Sequence, residues 1–300
     1  MNPDLERRIT LIASDRESGA SEILAGVMSV LRDAMDAGDD VLVVARAVCR
    51  AQPSMASIWN AALAALASAR NRSVFDRFTQ RVGKAPDALV RFAVECFPPA
   101  ARGDAAGIPL RIVTISFSRS VTAVLERLAG LRPLHIACSE SRPALEGRRL
   151  AVRMAAAGIP VTFFSDAAIA HALGAVDAVL VGADAVAPEW FLNKSGTRLL
   201  AAAAAQQSVP VYVVASRDKF MNHALAGLLR PREGDAAEIW DGAPAGVTVR
   251  NPYFESTPLD LAASVITDIG VLSAAMVPEV CESLSQELPS GLLEMLRLSK

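Results

Sequence analysis

The sequence predicts an α/β protein, in which an N-terminal helical domain is followed by a doubly wound, mostly parallel sheet. Between Leu5 and about Arg102, apolar residues recur at helical spacing with little strand signal. After Pro109, short β-branched or aromatic runs alternate with helical segments. These runs are nearly continuous rather than alternating, which is typical of strands buried on both faces.

The N-terminal part predicts a bundle of helices. An apolar stripe from Ile23 to Met35 indicates the first of them. Further helices are predicted over residues 41–50, 57–69, 73–82 and 86–97. The pairs Pro98-Pro99 and Gly103-Asp104 then break the pattern. We therefore predict a helical domain over residues 1–104 and a sheet domain over residues 105–300.

The second part alternates strands and helices. The predicted strands span residues 111–115, 134–138, 161–164, 178–181 and 211–215, with 248–250 as a candidate sixth. The predicted helices between them span residues 120–128, 145–157, 167–173 and 197–207, and a loop and a short helix end the chain. This alternation predicts right-handed crossovers and a parallel sheet. Ligands bind at the carboxyl ends of such strands, and small or polar residues follow all five.

Composition and charge exclude several classes of protein. A net charge of −2 with scattered basic residues gives no electrostatic case for binding nucleic acid or an anionic membrane. The four cysteines form no C-x-x-C pair and the three histidines are far apart, so no metal site is predicted. The N-terminus lacks a signal peptide and no long apolar run occurs, so we expect a cytoplasmic protein with free thiols. Dinucleotide, P-loop and nucleophile-elbow motifs are also absent from the sequence, and no cofactor is expected.

Three segments at strand ends carry candidate chemistry. Asp184, which follows two small residues, fits a general acid or base, although a loop-capping role is favoured on the residues alone. Asn193 and Lys194 precede a helix and fit either a phosphate or hydroxyl site or a simple N-cap with a solvated lysine. The segment 116–120 also opens a helix after a strand and fits an anion site, although a simple serine N-cap is favoured there. Arg142 fits a phosphate contact or a partner for a carboxylate.

The sequence resembles the initiation factor 2B alpha/beta/delta superfamily, which includes methylthioribose-1-phosphate isomerase and ribose-1,5-bisphosphate isomerase. The segments that carry the resemblance are residues 112–120, 139–147, 181–197 and 251–258 followed by 266–270, with weaker matches at 18–21 and 52–56. The resemblance implies a helical domain, a Rossmann-like domain and assembly into a homodimer or higher homo-oligomer. It also implies a sugar-phosphate site between the domains.

The resemblance assigns roles to individual residues. In the isomerases the catalytic pair is a cysteine after the first strand and the aspartate of a Gly-Ala-Asp motif, which Asp184 matches. Asn193 and Lys194 match positions that contact substrate. The matching segments extend this expectation of substrate binding to Gly19, Ala20, Arg142 and Glu146.

The departures from the family pattern concern the same pocket. Ser116 occupies the position of the catalytic cysteine, and a hydroxyl is much harder to ionise than a thiol. Ser18 and Gln52 stand where the isomerases have phosphate-binding arginines, with Arg16 and Arg50 two residues away. Glu146 replaces a glutamine that is frequent in the family.

The leading hypothesis is therefore a protein that binds a sugar phosphate or a nucleotide-like ligand. As an enzyme it would interconvert the aldose and ketose forms of a phosphorylated pentose. Asp184 would transfer protons, Ser116 would orient the substrate, and no metal or organic cofactor would take part. The alternative is a non-catalytic regulatory protein similar to an initiation factor 2B subunit. A purely structural dimer with a vestigial pocket is the third hypothesis.

Overall fold

The computed structural model describes residues 1–15, 18–68, 71, 73–97, 107–231, 233–286 and 291–296. The N-terminal part folds into helices, as the sequence predicts. They are α1 (Pro3–Ser14), α2 (Ala20–Ala37), α3 (Val41–Ala51), α4 (Ala56–Ala67) and α5 (Ser73–Cys96).

Helix α4 lies at the centre of this bundle because its many alanines allow neighbouring helices to pack closely. Every residue of α4 except Asn60 is buried. The Asn60 side chain donates to the backbone carbonyls of Asp218 (2.7 Å) and Phe220 (2.9 Å). These two bonds tie the bundle to the loop that carries Lys219.

Helix α5 corrects the prediction of two helices at 73–82 and 86–97. It runs without interruption through Pro86. Phe78, Ala85 and Leu89 continue one buried face across the proline. Packing of this face holds the helix together although proline removes one backbone hydrogen bond.

The second part contains the sheet and its connecting elements. In chain order these are β1 (Leu110–Thr114), α6 (Arg119–Ala129), β2 (Leu134–Ser139), α7 (Glu146–Ala156), β3 (Val161–Phe164), β4 (Ala178–Gly182), β5 (Ala185–Val186), β6 (Trp190–Lys194), α8 (Thr197–Gln206), β7 (Val211–Val214), α9 (His223–Ala226), α10 (Ala237–Trp240), β8 (Phe254–Pro258), β9 (Ser264–Thr267), β10 (Gly270–Leu272), α11 (Val277–Gln286) and α12 (Leu292–Leu296).

The main sheet has seven strands in the order β10-β9-β7-β4-β1-β2-β3. All neighbours pair in parallel except β9 and β10, which are antiparallel. The chain moves outward from β1 to β3 on one side and then returns to β4 on the other. The strand order therefore reverses between β1 and β4, which is where a doubly wound sheet opens a crevice for a ligand. The predicted fold class is confirmed.

Three local predictions are wrong. Residues 248–250 form no strand and are mostly exposed. Strand β9 pairs with β7 instead, and its Val265 and Ile266 are fully buried. Residues 167–173 lie in a 3-10 segment, Asp166–Ala175, rather than an α-helix. Strand β3 is an edge strand with Phe163 exposed, so it is not buried on both faces.

A second, three-stranded antiparallel sheet, β5-β6-β8, was not predicted from the sequence. Its register places Asn193 opposite Glu255 and Lys194 opposite Phe254. The strand pair thus holds Asn193 and Lys194 in a rigid element beside the end of β4.

Three apolar cores hold the molecule together. One lies among α1 to α4 and includes Leu292 and Leu296 of α12. The other two cover the two faces of the main sheet, and Leu89 and Ala93 of α5 belong to one of them. The domain boundary predicted near residue 104 lies outside the described residues and stays a prediction. Within the described part of the chain, no helix is both long enough and apolar enough to cross a membrane.

Candidate functional site

A cleft lies between the carboxyl ends of the strands and the start of α2. Its floor is formed by the ends of β1, β4 and β6, and its opposite wall is residues 18–21. The cleft thus occupies the crevice that the reversal of strand order predicts. The residues that line it include Gly19, Ala20, Ser116, Ser118, Arg149, Glu146, Asp184, Asn193, Lys194 and Lys219.

Asp184 lies on the floor of the cleft, immediately after β4. Its backbone N–H donates to the Leu192 carbonyl (2.8 Å), and its own carbonyl accepts from Ala56 (3.0 Å). The backbone is therefore fixed from both sides. Burial raises the pKa of the Asp184 carboxyl above its ordinary value, against the opposing charges of Lys219 and Lys194, and the charge of Glu146 raises it further. A carboxyl with a raised pKa is suited to donating a proton.

Two lysines reach the same floor. Lys194 is 2% exposed, and its Nζ lies 3.0 Å from Glu146 Oε1 and 4.5 Å from the centre of the Tyr253 ring. Lys219 Nζ donates to the Ala183 carbonyl (2.6 Å). The cleft therefore contains two carboxyl groups, of Asp184 and Glu146, and two ammonium groups, and the buried Lys194 is ion-paired with Glu146.

The loop after β1 brings Ser116 and the start of α6 into the cleft. Ser116 adopts a positive φ of 64°, a left-handed conformation that costs a non-glycine residue free energy. Its N–H donates to Ser141 Oγ (2.7 Å), which holds the loop in place. Ser118 then caps α6, with its Oγ accepting from the N–H of Val121 at 3.4 Å.

Gly182 allows this loop to pack against β4. A Cβ on Gly182 would lie 2.8 Å from Ser118 Oγ and 3.0 Å from Ser118 Cβ. Both distances are too short for an ordinary contact. The glycine of the Gly-Ala-Asp segment is therefore required for the close approach of α6 to the end of β4.

The start of α2 faces the start of α6 across the cleft. Gly19 caps α2, and its N–H donates to Glu22 Oε2 (2.9 Å). Glu22 Oε1 in turn lies 2.9 Å from Arg119 Nη2, so an ion pair joins the two helix starts. The first N–H groups of a helix have no acceptor within it, and the helix dipole adds partial positive charge. Two helix starts that converge on one cleft are suited to binding a phosphate.

The start of α8 differs, although the sequence offers it equally as an anion site. Glu255 Oε1 accepts from the N–H groups of Gly196 (2.7 Å) and Arg198 (3.0 Å). An internal carboxylate therefore occupies this helix start. Asn193 and Lys194 contribute their side chains to the cleft, and Asn193 Nδ2 is held by Thr197 Oγ1 at 2.9 Å.

The structure brings together seven of the eight site residues that the sequence predicts: Gly19, Ala20, Ser116, Glu146, Asp184, Asn193 and Lys194. Arg142 is the exception, since its side chain is exposed and it is not among the described residues that line the cleft. Its backbone N–H donates to Asp166 Oδ2 (2.7 Å), and the adjacent Ser141 N–H donates to Asp166 Oδ1 (2.7 Å). Segment 141–142 thus supports the Ser116 loop rather than reaching the cleft.

Besides Arg119, which belongs to the candidate segment 116–120, two basic residues of the cleft were not among the predicted site residues. Lys219 stands at the carboxyl end of β7, where the strand-end rule already pointed. Arg149 lies three residues after Glu146 on α7, so helical spacing puts both on one face. Its guanidinium stacks on the Phe117 ring at 4.8 Å. The strand-end position of Lys219 and the helical spacing of Arg149 from Glu146 could therefore have identified both residues from the sequence.

A second lobe of the cleft extends beyond Asp184 and Glu146. Its other lining residues include Asp15, Gln52, Glu233, Glu238 and Tyr253. Gln52 Nε2 donates to the Ile12 carbonyl (2.7 Å), so its side chain holds the start of the bundle. Of the two arginines near the expected phosphate-binding positions, Arg50 is exposed and is not among the described residues that line either lobe. Arg16 lies outside the described residues.

The described residues contain no group of three or more His, Cys, Asp or Glu side chains arranged to hold a metal ion. Cys49, Cys138 and Cys281 are buried free thiols. Burial raises the pKa of Cys138 to about 11. This thiol is therefore poorly suited to act as the nucleophile or base that Ser116 replaces.

Residues 16–274 match the sequence profile of the Initiation factor 2 subunit family. The chain belongs to this family. Among related sequences, methylthioribose-1-phosphate isomerase of Exiguobacterium sibiricum is 37% identical over 164 residues, which are 51% of this chain and 47% of the relative. Ribose 1,5-bisphosphate isomerase of Archaeoglobus fulgidus is 38% identical over 150 residues, or 48% of this chain and 47% of the relative. The chain spans about half the length of these relatives.

Solved structures of the family share the fold over nearly the whole chain. The translation initiation factor eIF-2B of Pyrococcus horikoshii OT3 superimposes with a TM-score of 0.74 at 22% identity, covering 91% of this chain and 98% of that one. The 5-methylthioribose 1-phosphate isomerase of the same organism gives a TM-score of 0.66 at 20% identity, covering 94% and 88%. At this level of identity the likeness establishes the fold alone.

Proposed function

We propose that the cleft binds a sugar phosphate and that the protein interconverts the aldose and ketose forms of a phosphorylated pentose. The observation that carries this proposal is the meeting of two helix starts and the partly buried carboxyl of Asp184 in one cleft. The names of the relatives, two sugar-phosphate isomerases, support the same class of ligand.

The phosphate would lie between the starts of α2 and α6. Arg119, Arg149, Lys194 and Lys219 line this lobe, so the positive charge of the cleft is concentrated here. Among the described residues, the second lobe is lined by carboxylates and by no lysine or arginine. The difference in charge would orient a ligand with its phosphate towards the helix starts and its hydroxyls towards Asp184.

Asp184 would serve as the proton donor to the substrate oxygen. Isomerisation of an aldose requires a proton on the carbonyl oxygen as the adjacent carbon loses one. A carboxyl whose pKa is raised by burial supplies that proton more readily at neutral pH than an exposed one. Asn193, held by Thr197, would accept or donate to a substrate hydroxyl, and Ser116 would orient the sugar.

One observation favours a second candidate function, a non-catalytic sugar-phosphate or nucleotide sensor. Ser116 stands where the resemblance implies a catalytic cysteine, and a serine without an adjacent base is a poor proton acceptor. A sensor would keep the phosphate site and lose turnover. As part of either proposal, we expect a homodimer or higher homo-oligomer in the cytoplasm, where buried thiols stay reduced.

The test measures binding and turnover separately. Pentose phosphates, hexose phosphates and nucleoside monophosphates are screened by thermal shift, and each binder is followed by NMR for formation of its isomer. We expect Asp184→Asn to bind but to lose turnover at least about 100-fold. The control Asp87→Asn, an exposed site on α5, is expected to keep both.

The outcomes distinguish the hypotheses. Binding without turnover in the wild-type protein favours the sensor. A binding site that no phosphorylated sugar or nucleotide occupies would leave only the structural dimer. Ser116→Cys gives a further check, because new or faster isomerisation in that variant would show that the pocket keeps the substrate geometry of the isomerases.

A further inference from the structure

Glu146 lines the cleft and carries a buried carboxylate oxygen that has no protein partner among the described residues. Its Oε1 lies 3.0 Å from Lys194 Nζ, whereas its Oε2 is buried and has no hydrogen-bond partner among the described residues. A buried acceptor that is left unpaired costs free energy, so nearly all such atoms in proteins are paired. An exception in a ligand cleft points to an atom that a ligand or a reaction uses.

Glu146 lines the same two lobes of the cleft as Asp184. Glu146 is the first residue of α7, which follows the loop after β2, and it lines both lobes of the cleft where they meet. Both carboxyl groups therefore belong to one cleft, and the charge of Glu146 contributes to the raised pKa of Asp184. The cleft therefore contains two acid–base groups, although its serine at position 116 supplies neither.

We propose that Glu146 moves the carbon-bound proton of the substrate, with Oε2 as the reacting oxygen. This proposal rests on the isomerase function proposed above and names the residue that replaces the missing thiol. The ion pair with Lys194 occupies Oε1 and leaves Oε2 as the free basic atom. A carboxylate with one fixed and one free oxygen is a well-positioned base.

The proton transfers balance without a cofactor. In the first step Oε2 of Glu146 takes the proton from C2 of the aldose, while Asp184 gives its proton to the carbonyl oxygen on C1, which forms an enediol. In the second step Glu146 returns its proton to C1, and the Asp184 carboxylate takes the proton from the oxygen on C2. The product is the ketose, and both carboxyl groups regain their starting state.

The experiment follows deuterium at C2. A pentose phosphate that binds by thermal shift is prepared with deuterium at C2, and its loss to water is measured by NMR. We expect Glu146→Gln to slow this loss at least about 100-fold and to change binding by only a few-fold. Glu146→Asp keeps a negative charge for Lys194, but its shorter side chain moves the carboxylate oxygen away from the substrate. Its rate of deuterium loss is expected to lie between those of the wild-type protein and Glu146→Gln.

The matched control is Glu126→Gln, a glutamate that is also ion-paired, to Arg153 at 2.7 Å, but lies outside the cleft. The Glu126→Gln variant is expected to release the C2 deuterium at the wild-type rate. Deuterium loss at the wild-type rate in Glu146→Gln would overturn the role of Glu146 without contradicting the proposed isomerase function. Wild-type binding without any exchange would overturn it in favour of a sensor, and failure of every sugar phosphate to bind would overturn both proposals. If Glu146→Gln does not fold, Glu146→Asp provides the test. Deuterium loss at the wild-type rate in that variant would contradict the proposal that Oε2 at a fixed position takes the proton.

Discussion

The starts of helices α6 and α8 are alike in sequence and different in structure. Each follows a strand, each begins with small polar residues, and the sequence offers both as anion sites. At α8, Glu255 accepts hydrogen bonds from two backbone N–H groups. At α6, the cap from Ser118 at 3.4 Å is the only side-chain acceptor that the described residues provide, and the helix start opens on the cleft.

The difference shows what decides whether a helix start can bind an external anion. Backbone N–H groups attract any carboxylate or phosphate that can reach them. Glu255 reaches α8 because β6 and β8 pair in a register that places it opposite Asn193. It is 59 residues from Gly196 in sequence, so no local motif at α8 reveals that the site is already filled.

The largest effect on this comparison is expected from Gly182→Ala. The added Cβ would lie 2.8 Å from Ser118 Oγ and would push the start of α6 away from β4. We expect a loss of about 2 kcal/mol in the free energy of unfolding, together with weaker binding of the phosphorylated ligand. Urea unfolding and ligand-induced thermal shift measure the two effects.

Gly174→Ala is the control, because a Cβ at that exposed glycine meets no atom within 4 Å. It should leave both stability and binding close to wild type. Equal losses in the two variants would mean that the effect of Gly182→Ala comes from the glycine backbone and not from the contact with Ser118.

The next effect is expected from Glu255→Ala, which empties the start of α8. Removal of the acceptor from two N–H groups should cost about 1.5 kcal/mol. Sulfate should then stabilise the variant more than the wild-type protein, because an external anion can occupy the vacated helix start. Thermal unfolding across a sulfate series gives the comparison. Glu255→Gln keeps an acceptor oxygen and should lose less than half as much, and identical sulfate responses in all three proteins would contradict the internal-anion interpretation.

Much of the fold could be predicted because its signals are local. Five of the six parallel strands were found within one residue, since each is a short apolar run. The second sheet was missed because β5 has two residues and β6 and β8 are far apart in sequence. The candidate strand at 248–250 was wrong because three β-favouring residues carry no information on whether a buried partner strand exists.

The third effect concerns stability and pH. The pKa of Asp184 is raised mainly by burial, so the folded protein holds this proton more tightly than the unfolded chain. Stability from this group is therefore greatest below pH of about 4 and falls as the pH rises through the raised pKa. Asp184→Asn has no such dependence. We expect its Tm to be higher than that of the wild-type protein at pH 8 and equal to it near pH 4.

A higher stability of Asp184→Asn at pH 8 would show that the buried Asp184 carboxyl in the cleft lowers the stability of the folded protein. Thermal unfolding of both proteins from pH 4 to pH 8 measures it, with Asp87→Asn as the exposed control. A gain that is equal at both ends of the range would rule out the raised pKa as its cause. A loss at pH 8 would mean that the attraction of Lys219 and Lys194 outweighs burial.

The location of the site followed from topology, whereas its chemistry did not. Seven of the predicted site residues line one cleft because strand ends converge and the motif segments fall on them. Their roles in binding or catalysis stay predictions. Arg142 was expected in the cleft but does not line it as described. It directly follows Ser141, which holds the Ser116 loop, and the sequence does not show whether a side chain at such a position points into the cleft or out of it. The free Oε2 of Glu146 depends on Lys194, 48 residues away, and only the folded chain brings them together.

The smallest effect is expected from Ser118→Ala, which removes the only side-chain cap seen at the start of α6 in the described structure. A good serine cap contributes about 1 kcal/mol, and at 3.4 Å this bond is long, so a loss of about 0.5 kcal/mol is expected. The N–H of Val121 would then be open to a phosphate oxygen. If the α6 start is the phosphate site, ligand binding should offset the loss, and the stability difference from wild type should shrink as ligand is added. A difference that stays constant at saturating ligand would place the phosphate elsewhere in the cleft, and the comparison with α8 would then rest on Glu255 alone.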